Sequence, residues 1–288
     1  MSVPIPVMKF GGVTLQGLKR FGPDEDRLLE ECKRQDNLTD IYRLLAARRN
    51  QARAHRLKEV AEEFVLPRCK SGGVPVVVVS AFDWATDKLE QLAASLSSDP
   101  DPREYTRLLM SGELRANAAL AIALKEAGRT ARSMTGREAG IVTDKRPVGA
   151  LVERVDIGHV QNLLQRGIVP IVAGFQGYYW DDNEQRDEVS ILGRGGSNQT
   201  AVALADALGQ PECTMLTNVD GVYDKDPNAF DDAKKLPEVA ASELLTWDPF
   251  PHVIQREAVE YGVEAGVDIW IRSGFDADLP GTLIRSRE

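Results

Sequence analysis

One arginine set among glycines constrains this chain more than any other feature. Gly193-Arg194-Gly195-Gly196-Ser197-Asn198 runs without a break into Gln199-Thr200-Ala201-Val202-Ala203-Leu204-Ala205-Asp206. Ala201, Leu204, Ala205 and Leu208 fall at i, i+3, i+4 and i+7, which predicts a helix with one apolar face. Gly209 supplies its C-terminal stop. Ser197 is the candidate N-cap, its hydroxyl accepting from a free N–H of the first turn. A glycine loop feeding a helix N-terminus aims backbone N–H groups at open space, where they favour an anion. Arg194 adds a bidentate grip for carboxylate or phosphate. Locally the same pattern also reads as punctuation between two elements, and both readings stay open.

The 288 residues suffice for one large α/β domain or two smaller ones, with a sizeable core. The net charge of −9 argues against a nucleic-acid or anionic-membrane partner while leaving room for a local basic pocket. Cys32, Cys69 and Cys213 are odd in number and widely spaced, as in a reducing compartment without structural zinc. His55, His159 and His252 are scattered, and no metal-ligand set is expected. Met1–Pro6 has no basic segment leading into an apolar run, and no stretch approaches the ~20 apolar residues of a membrane span, so a cytoplasmic protein is expected.

Pro6-Val7-Met8-Lys9-Phe10 reads as a strand ended by Gly11-Gly12. Lys9 lies either in solvent on an edge strand or at the C-terminal end of a buried strand facing a phosphate, in the crevice where α/β folds bind ligands. Leu28, Leu29 and Cys32 predict one short helix, Ile41, Leu44 and Leu45 another, and Leu57, Val60 and Phe64 a third within 53–64 that Pro67 and Gly72-Gly73 break. Val74–Val79 is a β-branched run of the kind buried on both faces in a parallel sheet. A helix follows near Thr86–Leu96, then a long one over Tyr105–Ala127, interrupted or capped around Ser111-Gly112. Glu113, near its middle, reads on its own as a solvated helix charge. Further strands are predicted at 130–135, 141–143, 151–155, 168–175, 213–217, 267–271 and 281–284, with a helix at 160–164 and a hairpin tip at 180–187. Strands alternating with helices imply a mainly parallel sheet with helices on both faces.

Several of these pieces, in order and spanning nearly the whole chain, resemble the amino-acid kinase superfamily, and in particular aspartate kinases. They are Lys9-Phe10-Gly11-Gly12, Ser80-Ala81 with Thr86-Asp87, Ser111-Gly112-Glu113, Thr135-Gly136 with Ala139-Gly140-Ile141, Gly193–Ser197, Val219-Asp220-Gly221-Val222-Tyr223, Asp226-Pro227 and Gly281-Thr282-Leu283. The resemblance implies a three-layer αβα sandwich and Mg-ATP-dependent phosphorylation of a carboxylate, for aspartate kinases the β-carboxylate of L-aspartate. It implies one domain over 1–288 with an acceptor lobe at about 1–192 and a nucleotide lobe at about 193–288. By the same resemblance Lys9 steadies the transferred phosphoryl group, Arg194 grips the α-carboxylate and Glu113 meets the α-ammonium. Ser80, Thr86 and Ser197 contact the substrate. Gly11, Gly12, Gly195 and Gly196 admit the phosphates, and Thr217, Asp220, Tyr223 and Asp226 lie where the family holds the nucleotide. A homodimer is implied as well.

The sequence departs from the family pattern at four places. Asn198 replaces the aspartate usual after Gly-Gly-Ser, an acid that organises the lysines of the site. Phe250-Pro251-His252-Val253-Ile254-Gln255-Arg256 stands where Gly-Ala-Lys-Val-Leu-His-Pro is usual, so His252 takes the place of a second phosphate-binding lysine. Asn228 replaces an arginine and Val13 a threonine. Loss of the acid together with the lysine avoids an unpaired buried charge. Lys225, Lys234 or Arg256 are candidates to restore positive charge, and 18–52 reads as a helical insertion. The chain ends just after Gly281–Ile284, so no regulatory ACT domain is expected. Three readings stay open: an aspartate kinase-like enzyme acting through Lys9, Arg194 and Asn198, a kinase for another carboxylic acid, and a non-catalytic homologue that binds nucleotide or amino acid.

Overall fold

The computed structural model describes residues 4–16, 38–70, 72–82, 84–227 and 229–287, and of 38–45 the backbone alone. Residues 17–37, Cys32 among them, and Asn228 lie outside the described residues, as do the helix predicted at Leu28–Cys32 and most of the predicted insertion.

In chain order the elements are β1 (Val7–Phe10), α1 (Gly12–Gln16), α2 (Leu38–Glu59), a wide π turn (Val60–Val65), α3 (Leu66–Lys70), β2 (Val76–Val79), α4 (Ala85–Leu96), α5 (Pro102–Glu126), β3 (Ala131–Met134), β4 (Ile141–Thr143), β5 (Val148–Ala150) and β6 (Val152–Val155). There follow α6 (Gly158–Gln165), β7 (Val169–Ala173), β8 (Gln176–Asp181), β9 (Arg186–Leu192), α7 (Gly196–Ala207), β10 (Glu212–Thr217), β11 (Glu238–Ala240), α8 (Ala241–Leu244), α9 (Arg256–Ala265), β12 (Asp268–Ser273) and β13 (Thr282–Arg285).

Among the described residues, eight strands form one sheet in the order β11-β13-β12-β10-β1-β2-β7-β3. Every pairing in it is parallel except β12 with β13. The apolar runs Val76–Val79 and Val169–Ala173 are interior strands of it, buried along their whole length as a sheet covered on both faces requires. One face packs against Val160 and Leu163 of α6, Ala201, Leu204 and Ala205 of α7, and Ala258 and Val259 of α9. The other packs against Leu15 of α1, Leu57 of α2, Phe64 of the π turn, and Leu120 and Leu124 of α5. This is the three-layer arrangement expected. A second sheet, β5-β9-β8-β4-β6, lies beside it, joined to α5 through Leu109, Met110 and Ile191. Its strand β9 ends at Leu192 and delivers the chain into the glycine turn at 193–195.

Several expectations need correction. Pro67 does not break the third helix, which runs on to Lys70 and stops only ahead of Gly72-Gly73: the chain is helical from Leu38 to Lys70, with the π turn ending two residues before the proline. Widening the turn there relieves the clash that a proline ring makes with the carbonyl four residues back. Nor is the helix at Tyr105–Ala127 interrupted; α5 is continuous, begun by Asp101, whose side chain accepts from the N–H groups of Arg103 and Glu104. Gly112 marks close approach instead, since a Cβ there would lie 2.8 Å from that of Ala81. Ser197 is not the N-cap of α7. That position belongs to Gly195, at φ 77°, a conformation glycine adopts without cost. Strands β5 and β11 and helix α9 had no clear sequence signal.

Helix α7 is buried from Gly196 to Ala205, on all sides rather than along one stripe. Leu204 is fully buried within it. Leu204→Ala is therefore expected to cost about 2–5 kcal/mol, seen as a lower urea midpoint at unchanged slope. A midpoint equal to that of the parent would contradict this packing.

Candidate active site

Lys9 sits on a central strand, not an edge. It is paired through the backbone between Met215 of β10 and Val78 of β2. Side chains alternate along the strand, so Met8 and Phe10 enter one core layer while Val7 and Lys9 face the layer of α7. Burial lowers the Lys9 ammonium to about 8. The turn after β1 is pinned by Gly11, whose N–H donates to the Leu216 carbonyl at 3.0 Å. A Cβ on Gly11 would lie 3.7 Å from Lys9 Nζ, so the ammonium lies beside this turn.

A cavity of about 320 Å³ opens at the C-terminal ends of β1, β2 and β10. Lys9, Gly11 and Gly12 line it from the first turn, Ser80 and Thr86 from the segment after β2, Glu113 from α5, and Arg194, Gly195, Gly196, Ser197 and Asn198 from the second turn. Thr217 completes the wall. The motifs that are far apart in sequence thus converge on one space, at the strand ends where such folds bind ligands.

Glu113 is buried, against the local reading of a solvated charge. The close approach at Gly112 brings it to Ala81, whose N–H donates to Glu113 Oε1 at 3.1 Å. Its Oε2 is buried with no protein partner. Burial pushes the Glu113 carboxyl up to about 7, against the bond from Ala81. An orphaned carboxylate oxygen of this kind calls for a cationic or N–H donor from a ligand.

Arg194 is well exposed and held loosely, 4.0 Å from Asp87 and 3.7 Å from Glu90, both on α4. Its turn is closed by two internal bonds, Gly196 N–H to the Gly193 carbonyl at 2.9 Å and Asn198 N–H to the Gly195 carbonyl at 2.8 Å. Ser197 packs under Gly174, where a Cβ would lie 2.7 Å from its hydroxyl. Asn198 Nδ2 donates to Gln255 Oε1 at 2.5 Å, and Asn198 Oδ1 is buried with no partner.

A second cavity, of about 640 Å³, adjoins the first through Val253. Tyr223, Lys225, Asp226, Phe230, Trp247 and His252 are among the residues lining it. Asp220 lines neither cavity; it accepts from Tyr223 Oη at 3.0 Å and Lys235 Nζ at 2.9 Å and so fixes the wall. Of the cations considered for the missing charge, Lys225 lines this cavity, paired with Asp232 at 2.7 Å. Arg256 instead donates to the Leu245 carbonyl and stacks on Phe250.

Sequence reasoning assigned no role to two residues. Gln255 lines the first cavity and covers Gly195. Arg56, buried on α2, donates from Nε to the Thr14 carbonyl at 2.8 Å and from Nη2 to the Gly274 carbonyl, and packs against Phe64 and Phe275. It braces the turn after β1 from behind. Gln255 lies in the segment that departs from the family's Gly-Ala-Lys-Val-Leu-His-Pro run and Arg56 belongs to no motif, and only the fold brings each to its partners.

The pair of cavities, two glycine turns and a buried ammonium fit a nucleotide triphosphate: a large, partly aromatic space leads to a smaller one rich in N–H donors. Among the described residues no three His, Cys, Asp or Glu side chains gather as a metal cage. Mg2+ commonly rests on phosphate oxygens and water with one or two carboxylates, so a bound nucleotide would bring most of its ligands. Among the described residues no helix is long and apolar enough to cross a membrane.

Comparison with known proteins agrees with this geometry. The profile of the Amino acid kinase family matches residues 4–273. The chain is 40% identical to the aspartokinase of Corynebacterium efficiens over 232 residues, 80% of this chain and 54% of that one. Against the aspartokinase of Mycobacterium tuberculosis it is 40% identical over 234 residues, 81% of this chain and 54% of that one. The chain thus spans about half the length of these curated relatives. The crystal structure of aspartate kinase from Synechocystis superposes with a TM-score of 0.73 at 30% identity, covering 98% of this chain and 40% of that one. With its motifs in order, its fold superposable and the family profile matched over 4–273, the chain belongs to the amino acid kinase family.

Proposed function

We propose that this chain transfers the γ-phosphoryl group of ATP to the side-chain carboxylate of L-aspartate. The observation that carries this reading is the convergence of Lys9, Glu113 and Arg194 on one cavity. These three groups match an amino acid that bears an ammonium, an α-carboxylate and a second carboxylate to be phosphorylated. In the proposal Arg194 exchanges its loose contacts with Asp87 and Glu90 for the α-carboxylate, and Glu113 Oε2 accepts from the α-ammonium. The β-carboxylate, ionised at neutral pH, needs no general base. It forms a P–O bond as the bond between the γ-phosphorus and its bridging oxygen breaks, giving an acyl phosphate and ADP. Lys9 and the N–H groups of both glycine turns then hold the charge on the phosphoryl oxygens, where such catalysis is mostly done.

ATP supplies the phosphoryl group, with Mg2+ borne on its phosphates. Its nucleoside end goes to the cavity lined by Tyr223, Asp226 and His252, and its phosphates reach Gly11, Gly12, Gly195, Gly196 and Thr217. The acceptor lobe is then about 1–192 and the nucleotide lobe about 193–288. A cytoplasmic homodimer belongs to the same reading. Asn198 and His252, in place of an acid and a lysine, favour as second readings a different acceptor or a homologue that binds without turnover.

The test is hydroxamate formation with Mg-ATP, hydroxylamine and a panel of acids. Aspartate is expected to give signal, and Lys9→Ala to lower kcat by about 100-fold or more. Arg194→Ala is expected chiefly to raise KM for aspartate. Unchanged turnover in either variant would remove the role given to that residue, and signal with another acid alone would change the acceptor. Silence with every acid while ATP still binds would favour the non-catalytic reading.

The pH dependence gives a second check. Glu113 must be ionised to meet an ammonium and Lys9 protonated to hold a phosphoryl group. With the first near 7 and the second near 8, kcat/KM for aspartate should rise through about 7 and fall above about 8. Glu113→Gln should remove the acid limb and lower kcat/KM.

The same substitution bears on stability. Glu113 titrates higher in the native state than in the unfolded chain, so the ligand-free protein loses stability as pH rises from about 4.5 through about 7. Glu113→Gln, which carries no charge, should have a Tm advantage that grows across this window and is complete above it, worth up to about 3 kcal/mol. A Tm difference independent of pH would contradict the burial of an ionised Glu113.

A further inference from the structure

The two cavities meet along one short segment. His252 lines the larger, Gln255 the smaller, and Val253 both. A nucleotide with its nucleoside end in the larger cavity and its phosphates in the smaller lies across this boundary. Gln255 lines the smaller cavity two residues beyond Val253. It reaches from the residue preceding α9 across Gly195, where a Cβ would lie 2.2 Å from its Cγ, to Asn198.

Asn198 and Gln255 form a pair of carboxamides. Their mutual bond uses the NH2 of one and the carbonyl of the other. What remains is one acceptor, Asn198 Oδ1, which is buried and unpartnered, and one donor, Gln255 Nε2, which has no protein acceptor among the described residues. The count does not depend on which way either amide is turned. Two carboxamides that share one bond always leave one C=O and one NH2. A phosphoryl oxygen accepts hydrogen bonds only, so it can use the NH2 and not the C=O.

Resting on the phosphotransfer reading given above, we propose that the Asn198–Gln255 pair supplies a neutral donor to the phosphoryl group in transit, with the free NH2 of the pair bonding a non-bridging oxygen. Gln255 is then a further catalytic residue, and Asn198 orients it. The pair does without a charge what a second cation would do with one. It also makes Asn198 and Gln255 interdependent. A carboxylate at 198 only accepts, so it would draw the Gln255 NH2 toward itself and turn Oε1 into the cavity.

The discriminating variant is Gln255→Glu, which keeps shape and keeps an oxygen for Asn198 Nδ2 while replacing the free NH2 by oxygen. Asn198→Asp tests the coupling, and Gln255→Met keeps volume should the glutamate variant fail to fold. Steady-state kinetics and calorimetric affinities for ADP and β,γ-imido-ATP are the readouts. For Gln255→Glu we expect kcat to fall by about 100-fold with KM for aspartate within about threefold. Affinity for β,γ-imido-ATP should fall by about tenfold while that for ADP stays within about threefold. Asn198→Asp should reproduce the pattern. An unchanged kcat, or equal losses of affinity for both nucleotides with a lowered Tm, would overturn the inference and leave the aspartate reading standing. If the parent protein forms no acyl phosphate with any acid, the kinase reading fails and the nucleotide arm decides alone. Preference for β,γ-imido-ATP over ADP that disappears in Gln255→Glu upholds the inference, and its absence from the parent protein overturns it.

Discussion

A buried ammonium governs the arrangement of this site. Lys9, on a strand held between two parallel neighbours, is buried against the cavity it lines and has no ion-pair partner among the described residues. Burial weakens its hold on its proton, and a charge kept under those conditions is costly unless a ligand brings its opposite. The surroundings answer this cost from one side. The turn at Gly11-Gly12 and the N-terminus of α7 both open onto the cavity that holds Lys9 and contribute N–H groups of the same sign of potential. Glu113 is the counterpart on the opposite wall, a carboxylate as poorly solvated as the lysine and with one oxygen unmet. A ligand that carries an anionic group and an ammonium would relieve both at once. Its binding should therefore stabilise the fold as well as fill it.

The sheet was legible in the sequence because its signal is local. Val76–Val79 and Val169–Ala173 are apolar without alternation, which only a strand covered on both faces tolerates. The glycine turn before α7 was legible for the same reason, as was the grouping of Lys9 with Gly11 and Gly12. What could not be read depends on partners remote in sequence. Glu113 looks like any helix charge until Gly112 lets α5 meet Ala81. Pro67 looks like a stop until the π turn before it absorbs the ring. Ser197 has the chemistry of a cap, yet Gly195 takes the position because the left-handed backbone there excludes most side chains and because Gln255 occupies the space a Cβ would need. Gln255 stands in the segment that departs from the family's lysine-bearing run, and nothing in the residues around it announces the contact with Asn198.

Arg56 illustrates how the second row of the structure holds the first. Its guanidinium is buried; besides Glu59 Oε2, at 2.8 Å, it donates to two carbonyls, those of Thr14 and Gly274, that belong to segments at opposite ends of the chain. Thr14 follows the turn that carries Gly11 and Gly12; Gly274 follows β12, where a Cβ would lie 2.2 Å from Thr14. The planar fork of arginine suits this task, since several fixed donors are met at once. The geometry of the turn beside Lys9 thus depends on a helix that supplies nothing to the cavity lining.

The neutrality of the Asn198–Gln255 pair follows from the same electrostatics. A site with one unpaired buried ammonium already bears a desolvation cost, and a second cation beside it would add repulsion to that cost unless an acid stood between them. An aspartate at 198 would supply that acid, but with no lysine at 252 it would face Lys9 as a lone counter-ion and compete with the phosphoryl group for it. Two carboxamides avoid both outcomes. They exert little long-range pull, so capture of an anion is left to Lys9 and the backbone N–H groups. At short range they still discriminate by direction, because an amide whose carbonyl accepts from Asn198 Nδ2 and whose stem packs over Gly195 leaves its NH2 few orientations. The substitution of charge by geometry is self-consistent only when both residues change together, which is the form in which this chain carries it.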